Sequence, residues 1–269
     1  MAGRAPGREE RGSIGRILRS PGAHRILAFA LIIGAWQFLS GRYISAYFIS
    51  SPSDIATKIV TWARDGTIAR HVTSTVLITI CGFVLASALA IPLALWVSAS
   101  KLVDAVLGPF IYAAYSMPKI VLGPALVLWL GIGLLPAIAL SCITAFFLVF
   151  YNVYVGLKQV APIHTISAKL LGATPLQAAM KFRLPAAGPF VATGLSQGLI
   201  YAFHGAMVGE ITASNVGVGY LILFSGSRLD STAVMAALVL IGLIALAITL
   251  LLDHTLGLLG TAKGAQAIA

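Results

Sequence analysis

The chain has 269 residues, of which 59% are hydrophobic and only 10% charged, with a mean hydropathy of +0.96. Soluble domains carry about 25% charged residues, so an ordinary soluble protein is excluded and a single polytopic membrane domain is implied. The net charge of +10 sits on residues scattered between apolar runs, which fits membrane topology better than nucleic-acid binding.

Residues 1–24 are rich in Gly, Arg, Pro and Ser without periodicity and read as a disordered basic cytoplasmic arm. The first apolar run, residues 25–41, lacks a small-residue cleavage site and reads as a retained anchor. It is short for a hydrocarbon core of about 30 Å, with Arg25 and Arg42 able to snorkel at its ends. In the following stretch Ser51 caps a helix, Pro52 takes its first position, and Asp54 lies three residues after the cap. Ile55, Ile59, Trp62 and Ala63 form one apolar stripe before Gly66 stops the helix, which either lies on the membrane surface or packs on the protein itself.

Residues 72–100 carry no charge and make a second span. Residues 105–118 and 120–130 flank Lys119 and contain Pro109, Pro118 and Pro124, so the third span is expected to be bent or broken. Residues 131–136 make an outer hairpin, and 137–157, 186–209 and 231–252 are the fourth, fifth and sixth spans. Residues 211–227 are uncharged but hold Asn215, Gly217, Gly219 and Gly226. They read as a re-entrant or interfacial segment, because a polar, glycine-rich backbone must line a cavity or protein.

With the amino terminus inside, twelve Lys and Arg residues fall on the cytoplasmic side and five on the other, with Lys119 within the membrane. That bias makes residues 162–189 cytoplasmic. In this polar loop a first helix, about residues 165–171, presents Ile166 and Leu170 on one side and stops at Gly172. Thr174, Pro175 and Gln177 then form a capping box that starts a second helix, which Pro185 is expected to end. Lys169, Lys181 and Arg183 surround the bend. Read alone, this is either an amphipathic connection or a docking loop.

Ala168, Gly172-Ala173 and Leu184-Pro185 resemble the coupling ("EAA") loop of ABC-importer permeases, with Ile166 where that family usually has glutamate and Ser167 in place of its first alanine. The resemblance extends over residues 50–257 through the strings ISSPSDI, SMPKIVLGPALVLWLGIG, FFLVFYNVYVGLKQV and VGEITASNVGVGYLI, in the order found in permeases of the sulfonate/nitrate/taurine group. It implies an all-α polytopic fold of about six transmembrane helices, the type I importer permease fold, spanning residues 25–257 with a short cytoplasmic tail at 258–269. It also implies a homodimer, two cytoplasmic ATP-binding subunits, an extracytoplasmic solute-binding protein, and a location in the bacterial inner membrane. Ile166, Ser167, Ala168, Gly172, Ala173, Leu184 and Pro185 would then dock the ATP-binding subunit. No phosphate-binding G-x-x-x-x-G-K-[ST] motif occurs, so ATP hydrolysis would belong to that partner.

Ionisable groups at membrane depth are costly and hence functional candidates. Lys119 lies mid-span at the expected break and either attracts an anionic substrate or forms a structural pair or snorkels. His204 and Glu210 lie on the fifth span. Glu210 has Lys119 or Arg228 as possible partners, and His204 reads as an interior histidine more readily than a ligand. Gly194, Gly198, Gly205 and Gly209 share one helix face, for packing within the chain or between subunits. No metal-ligand spacing, cofactor motif or nucleophile–base constellation stands out, and Cys81 and Cys142 lie on different spans. A membrane-embedded enzyme would need clustered polar groups, and a stand-alone secondary transporter its own coupling carboxylates, of which only Glu210 is available.

Overall fold

The computed structural model describes residues 21–45 and 47–258, so most of the basic arm and the residues after 258 lie outside the described part. Among the described residues the regular elements are helices: α1 (Pro21–Leu39), α2 (Pro52–Arg64), α3 (Thr67–Ala99), α4 (Lys101–Ser116), α5 (Gly123–Leu130), α6 (Leu134–Gln159), α7 (Pro162–Leu170), α8 (Pro175–Ala178), α9 (Leu184–Ala186), α10 (Gly188–Ala213), α11 (Val218–Ser227) and α12 (Ser231–Leu258). A 3₁₀ turn (Lys119–Leu122) precedes α5, and a π turn (Ala179–Arg183) joins α8 to α9. Residues 21–24, read as the end of the arm, are already the first turn of α1.

Four stretches, Thr67–Ala99, Leu134–Gln159, Gly188–Ser227 and Ser231–Thr255, are long and apolar enough to cross a membrane. The pair Lys101–Ser116 and Lys119–Leu130 is apolar enough only when taken together, and it is bent by 85°, as in a broken span or a re-entrant loop. The apolar part of α1, His24–Leu39, is shorter; at about 1.5 Å per residue it falls short of a core of about 30 Å. Against six expected spans, the described residues hold four long helices, the bent pair and this shorter helix.

The core is α6, held between α3 and α10 by small residues. A Cβ on Gly194 would lie 3.0 Å from Asn152 Cβ, on Gly198 2.4 Å from Val149 Cγ2, on Gly205 2.8 Å from Ser141 Cα, and on Gly209 2.5 Å from Ala137 Cα. Numbers rise on one helix as they fall on the other, so α10 and α6 run antiparallel with their backbones nearly touching. Close approach lets hydroxyls bond across: Ser141 Oγ donates to Ala202 O at 2.8 Å and Thr144 Oγ1 to Tyr201 O at 3.0 Å. The same stripe that packs within the chain is therefore not free to pack against another subunit.

Helix α2 begins as its sequence dictates, with Ser51 Oγ accepting from Asp54 N at 3.2 Å. Of the two readings open for it, packing on the protein is what occurs: Ile55 and Trp62 are buried in a cluster with Ala233, Ala236 and Leu240 of α12. Lys58 bridges Asp230 at 3.0 Å, just ahead of α12.

Two expectations need correcting. Pro185 does not end the helix started by Thr174. The π turn at 179–183 lets the chain pass through the proline into α9, since a wider turn absorbs the missing N–H and the ring clash. The break comes two residues later, at Ala187. Secondly, Glu210 pairs with neither Lys119 nor Arg228. It is fully buried, and its Oε2 accepts from Gly219 N at 2.8 Å.

That bond fixes α11. His71 Nδ1 lies 3.0 Å from both N and O of Gly217, and Thr75 Oγ1 accepts from Val218 N at 2.9 Å, so the amides of Val218 and Gly219 in the first turn of α11 are met by side chains. Gly217, at φ +120, touches the Glu210 carboxyl, where any Cβ would collide at 2.1 Å. A Cβ on Gly219 would lie 2.5 Å from Met207 O. Residues twelve apart meet only if the chain reverses, so α11 folds back on α10 instead of extending it.

Candidate functional site

The bend of 85° between α4 and α5 is built from Met117 and Pro118 in extended backbone, followed by the 3₁₀ turn that starts at Lys119. It exposes Lys119 to a cavity of about 340 Å³ also lined by Tyr115, Thr144, Phe147, Tyr201 and His204. The Lys119 ammonium donates to Tyr115 O and lies 5.2 Å from the Tyr115 ring centroid and 5.1 Å from that of Phe147. It makes no ion pair among the described residues, unlike Lys58 with Asp230 and Lys158 with Asp104. With ring faces and a carbonyl as its neighbours, the ammonium has no carboxylate among the described residues to compete with an incoming anion.

Of the three polar residues singled out at membrane depth, the fold brings Lys119 and His204 to one cavity and leaves Glu210 outside it. His204 is exposed on the cavity side, its ring edge-on to Tyr201 with centroids 5.6 Å apart, and is not the interior histidine expected. The sequence reading missed Tyr115, Phe147 and Tyr201. Helical spacing gave no signal for Tyr115: it lies four residues before Lys119, but extended backbone at Met117 and Pro118 separates them. Nothing local marked Phe147 or Tyr201, which arrive from α6 and α10. Tyr115 is itself stacked on Tyr151 at 4.5 Å between centroids, which holds its ring in place. No set of His, Cys, Asp and Glu among the described residues is grouped to hold a metal ion.

At the other end of the bundle, the loop after α6 is locally self-determined. Gly172 adopts φ +66, its N–H bonds Lys169 O at 3.0 Å, and Ala173 N bonds Ala168 O at 3.0 Å. Those two bonds are a Schellman cap that terminates α7. Thr174 and Gln177 then exchange bonds of 3.0 and 3.3 Å in a capping box. Arg183 donates to Ser98 O and Oγ, both at 3.2 Å, tying the loop to the last turn of α3. Burial lowers the Arg183 pKa from its ordinary value, but a guanidinium remains charged throughout the physiological range. Lys158 reaches Asp104 at 2.7 Å and so ties the end of α6 to α4.

Ala168 is completely buried inside the loop, whereas Ile166, Leu170, Leu171 and Leu176 are 50%, 83%, 74% and 72% exposed. Ser167, Ala173 and Leu184 are half-buried, and Gly172 and Pro185 are exposed. The loop thus presents aliphatic side chains on a stiffly capped frame, with Lys169 and Lys181 beside them.

The family model for binding-protein-dependent transport system inner membrane components matches residues 78–261. A probable ABC transporter permease protein of Haemophilus influenzae is 31% identical over 238 residues, covering 86% of this chain and 96% of that one. The formylaminopyrimidine transport permease protein ThiX of Halalkalibacterium halodurans is 27% identical, covering 81% and 87%. The taurine transport system permease protein TauC of Escherichia coli is 27% identical, covering 78% of each. Among solved structures, an inward-facing conformation of the MetNI methionine ABC transporter matches with a TM-score of 0.63 at 20% identity, over 70% of this chain and 94% of that one.

Proposed function

The chain belongs to the family of binding-protein-dependent transport system inner membrane components, and from this premise we propose that it conducts a small anionic solute past Lys119. It is an ABC-importer permease of the sulfonate/taurine type, a multi-pass membrane protein and a transport subunit, not an enzyme. The solute, the docking residues and the partners are the proposed part. The observation that carries it is the Lys119 ammonium, facing a cavity of about 340 Å³ without a carboxylate partner among the described residues. An aliphatic sulfonate suits that setting, with its charge on Lys119 and its short apolar part against Phe147 and Tyr201.

The capped loop of α7 and α8 docks a cytoplasmic ATP-binding subunit. Gly172, Ala173, Leu184 and Pro185 shape it, Ser167 and buried Ala168 let it pack tightly, and Ile166 with its aliphatic neighbours makes the contact. Two such subunits act on a homodimer of this chain. An extracytoplasmic binding protein delivers the solute, and the amino terminus is cytoplasmic. Closing of the ATP-binding subunits moves the loops, and the Arg183 bonds to Ser98 of α3, with the Lys158–Asp104 pair between α6 and α4, pass that motion to α4, which ends just before Lys119.

The experiment is uptake by cells expressing Lys119→Met, with taurine, a zwitterion whose sulfonate would meet the ammonium, and a formylaminopyrimidine as the comparison without an anionic group. Taurine uptake should fall at least about tenfold while the amount of assembled complex stays at wild type, since a hydrogen bond to a charged group contributes about 1.5–3 kcal/mol. Equal loss of assembly would make Lys119 structural, and unchanged taurine uptake would dismiss the proposal.

A further inference from the structure

A second cavity, about 410 Å³, opens where the first turns of α3 and α12 meet α2 and α11. Its charged lining is Lys58, Arg70, Arg228 and Asp230. Lys58 is offset by Asp230, but neither arginine has an ion pair among the described residues. Arg228 instead stacks over Phe224 at 4.0 Å, and Arg70 is exposed. Two uncompensated guanidiniums therefore share a cavity floored by Trp62 and Tyr220.

Position gives this charge a meaning. The cavity lies at the ends of two helices long enough to span a membrane, which is headgroup depth, where tryptophan and tyrosine also collect. Beside the same first turns of α3 and farther along α12 runs an apolar trough of about 410 Å³, lined by Ile68, Val72 and Val76 of α3 and by Leu240, Ala247 and Leu251 of α12. Ala233 of the cavity and Leu240 and Ala247 of the trough fall at seven-residue steps, so one face of α12 passes from the first into the second. A cationic, aromatic head with an apolar track below it matches a molecule with an anionic head and hydrocarbon tails.

We propose that this end of the bundle is a binding site for an anionic glycerophospholipid, its phosphate on Arg70 and Arg228 and an acyl chain in the trough between α3 and α12. Planar guanidiniums suit a phosphate through paired N–H donors. The site is separate from the Lys119 cavity and does not depend on the transported solute.

The test uses the detergent-purified permease with whatever subunits copurify, stripped of lipid. Native mass spectrometry and thermal melting are followed on titrating phosphatidylglycerol, phosphatidylcholine or inorganic sulfate. Phosphatidylglycerol should bind and raise the melting temperature more than phosphatidylcholine. The double variant Arg70→Gln/Arg228→Gln, unchanged in melting without lipid, should bind it about tenfold more weakly or worse. Ala247→Phe, which fills the trough and leaves the arginines intact, should weaken binding as well. Equal binding of the two lipids, or no loss in the arginine variant, overturns the proposal. Sulfate reproducing the full effect would reassign the cavity to a free anion and overturn the lipid. If the double variant fails to fold, Ala247→Phe alone decides: unchanged binding of phosphatidylglycerol then rules out an acyl track and overturns the proposal.

Discussion

The α6–α10 contact makes the sharpest demand on single atoms, and Gly209→Ala tests it. The added Cβ would stand 2.5 Å from Ala137 Cα, 2.9 Å from its Cβ and 3.2 Å from its O. Carbon atoms in good contact are about 3.5–4.0 Å apart, so the helices must part by roughly 1 Å near the Gly133–Ala213 hydrogen bond, now 2.8 Å. Nothing at the clash is a flexible side-chain end that could swing away. Overpacking of this kind costs about 1–3 kcal/mol, while alanine in place of glycine in a helix returns about 0.5–1 kcal/mol. The net expectation is a loss of about 1–2 kcal/mol. Gly34→Ala and Gly242→Ala are the controls: both lie in helices, and neither Cβ would meet an atom within 4 Å. Thermal melting of the detergent-solubilised protein should show Gly209→Ala several degrees below wild type and both controls at or slightly above it. A Gly209→Ala protein that melts with wild type would refute backbone contact at this level.

Gly198→Leu should also destabilise, because even its Cβ would lie 2.4 Å from Val149 Cγ2, whereas Leu199→Ala, on a half-buried face, should be milder in the same melt. Gly172→Asp, at φ +66, should leave the chain inserted but abolish copurification of an ATP-binding subunit, and an intact complex would show that α7 and α8 are not the coupling element. Thr174→Ala removes one half of the capping box, worth about 1 kcal/mol, and should raise proteolysis within residues 171–178 without altering insertion. For Asp230, burial pushes the carboxyl pKa up, but the Ala233 N–H and Lys58 outweigh it and leave the net value below 3.8. Its small stabilising contribution is therefore present above that value and lost as pH falls through the folded one; Asp230→Asn should lower melting at neutral pH and converge with wild type in acid.

Local chemistry decides the parts of the fold that are legible in the sequence. Ser51–Pro52–Asp54 and Thr174–Pro175–Gln177 start helices where their hydroxyls meet the third amide, and Gly172 ends one where only a left-handed residue fits. The break at Lys119 was legible because two prolines and a glycine surround it. Tertiary pairing was not. Whether α2 lay on lipid or on α12 depended on Ala233 and Ala236, far away in sequence, and the aromatic lining of the Lys119 cavity came from three helices. Glu210 misled because a membrane carboxylate suggests a cationic partner, yet here it satisfies the amide of a helix that folds back. Pro185 misled because a proline rule written for an α-helix does not hold across a π turn.

The central claim is ATP-coupled movement of a sulfonate-bearing solute past Lys119. The direct measurement is accumulation of labelled taurine in proteoliposomes holding the permease with its ATP-binding subunit and binding protein, for wild type and Lys119→Met. The account predicts accumulation by wild type only with ATP and both partners, and loss of most of it in Lys119→Met at unchanged protein content. Accumulation driven by an ion gradient without ATP, or a Lys119→Met protein that accumulates taurine as wild type does, would contradict it.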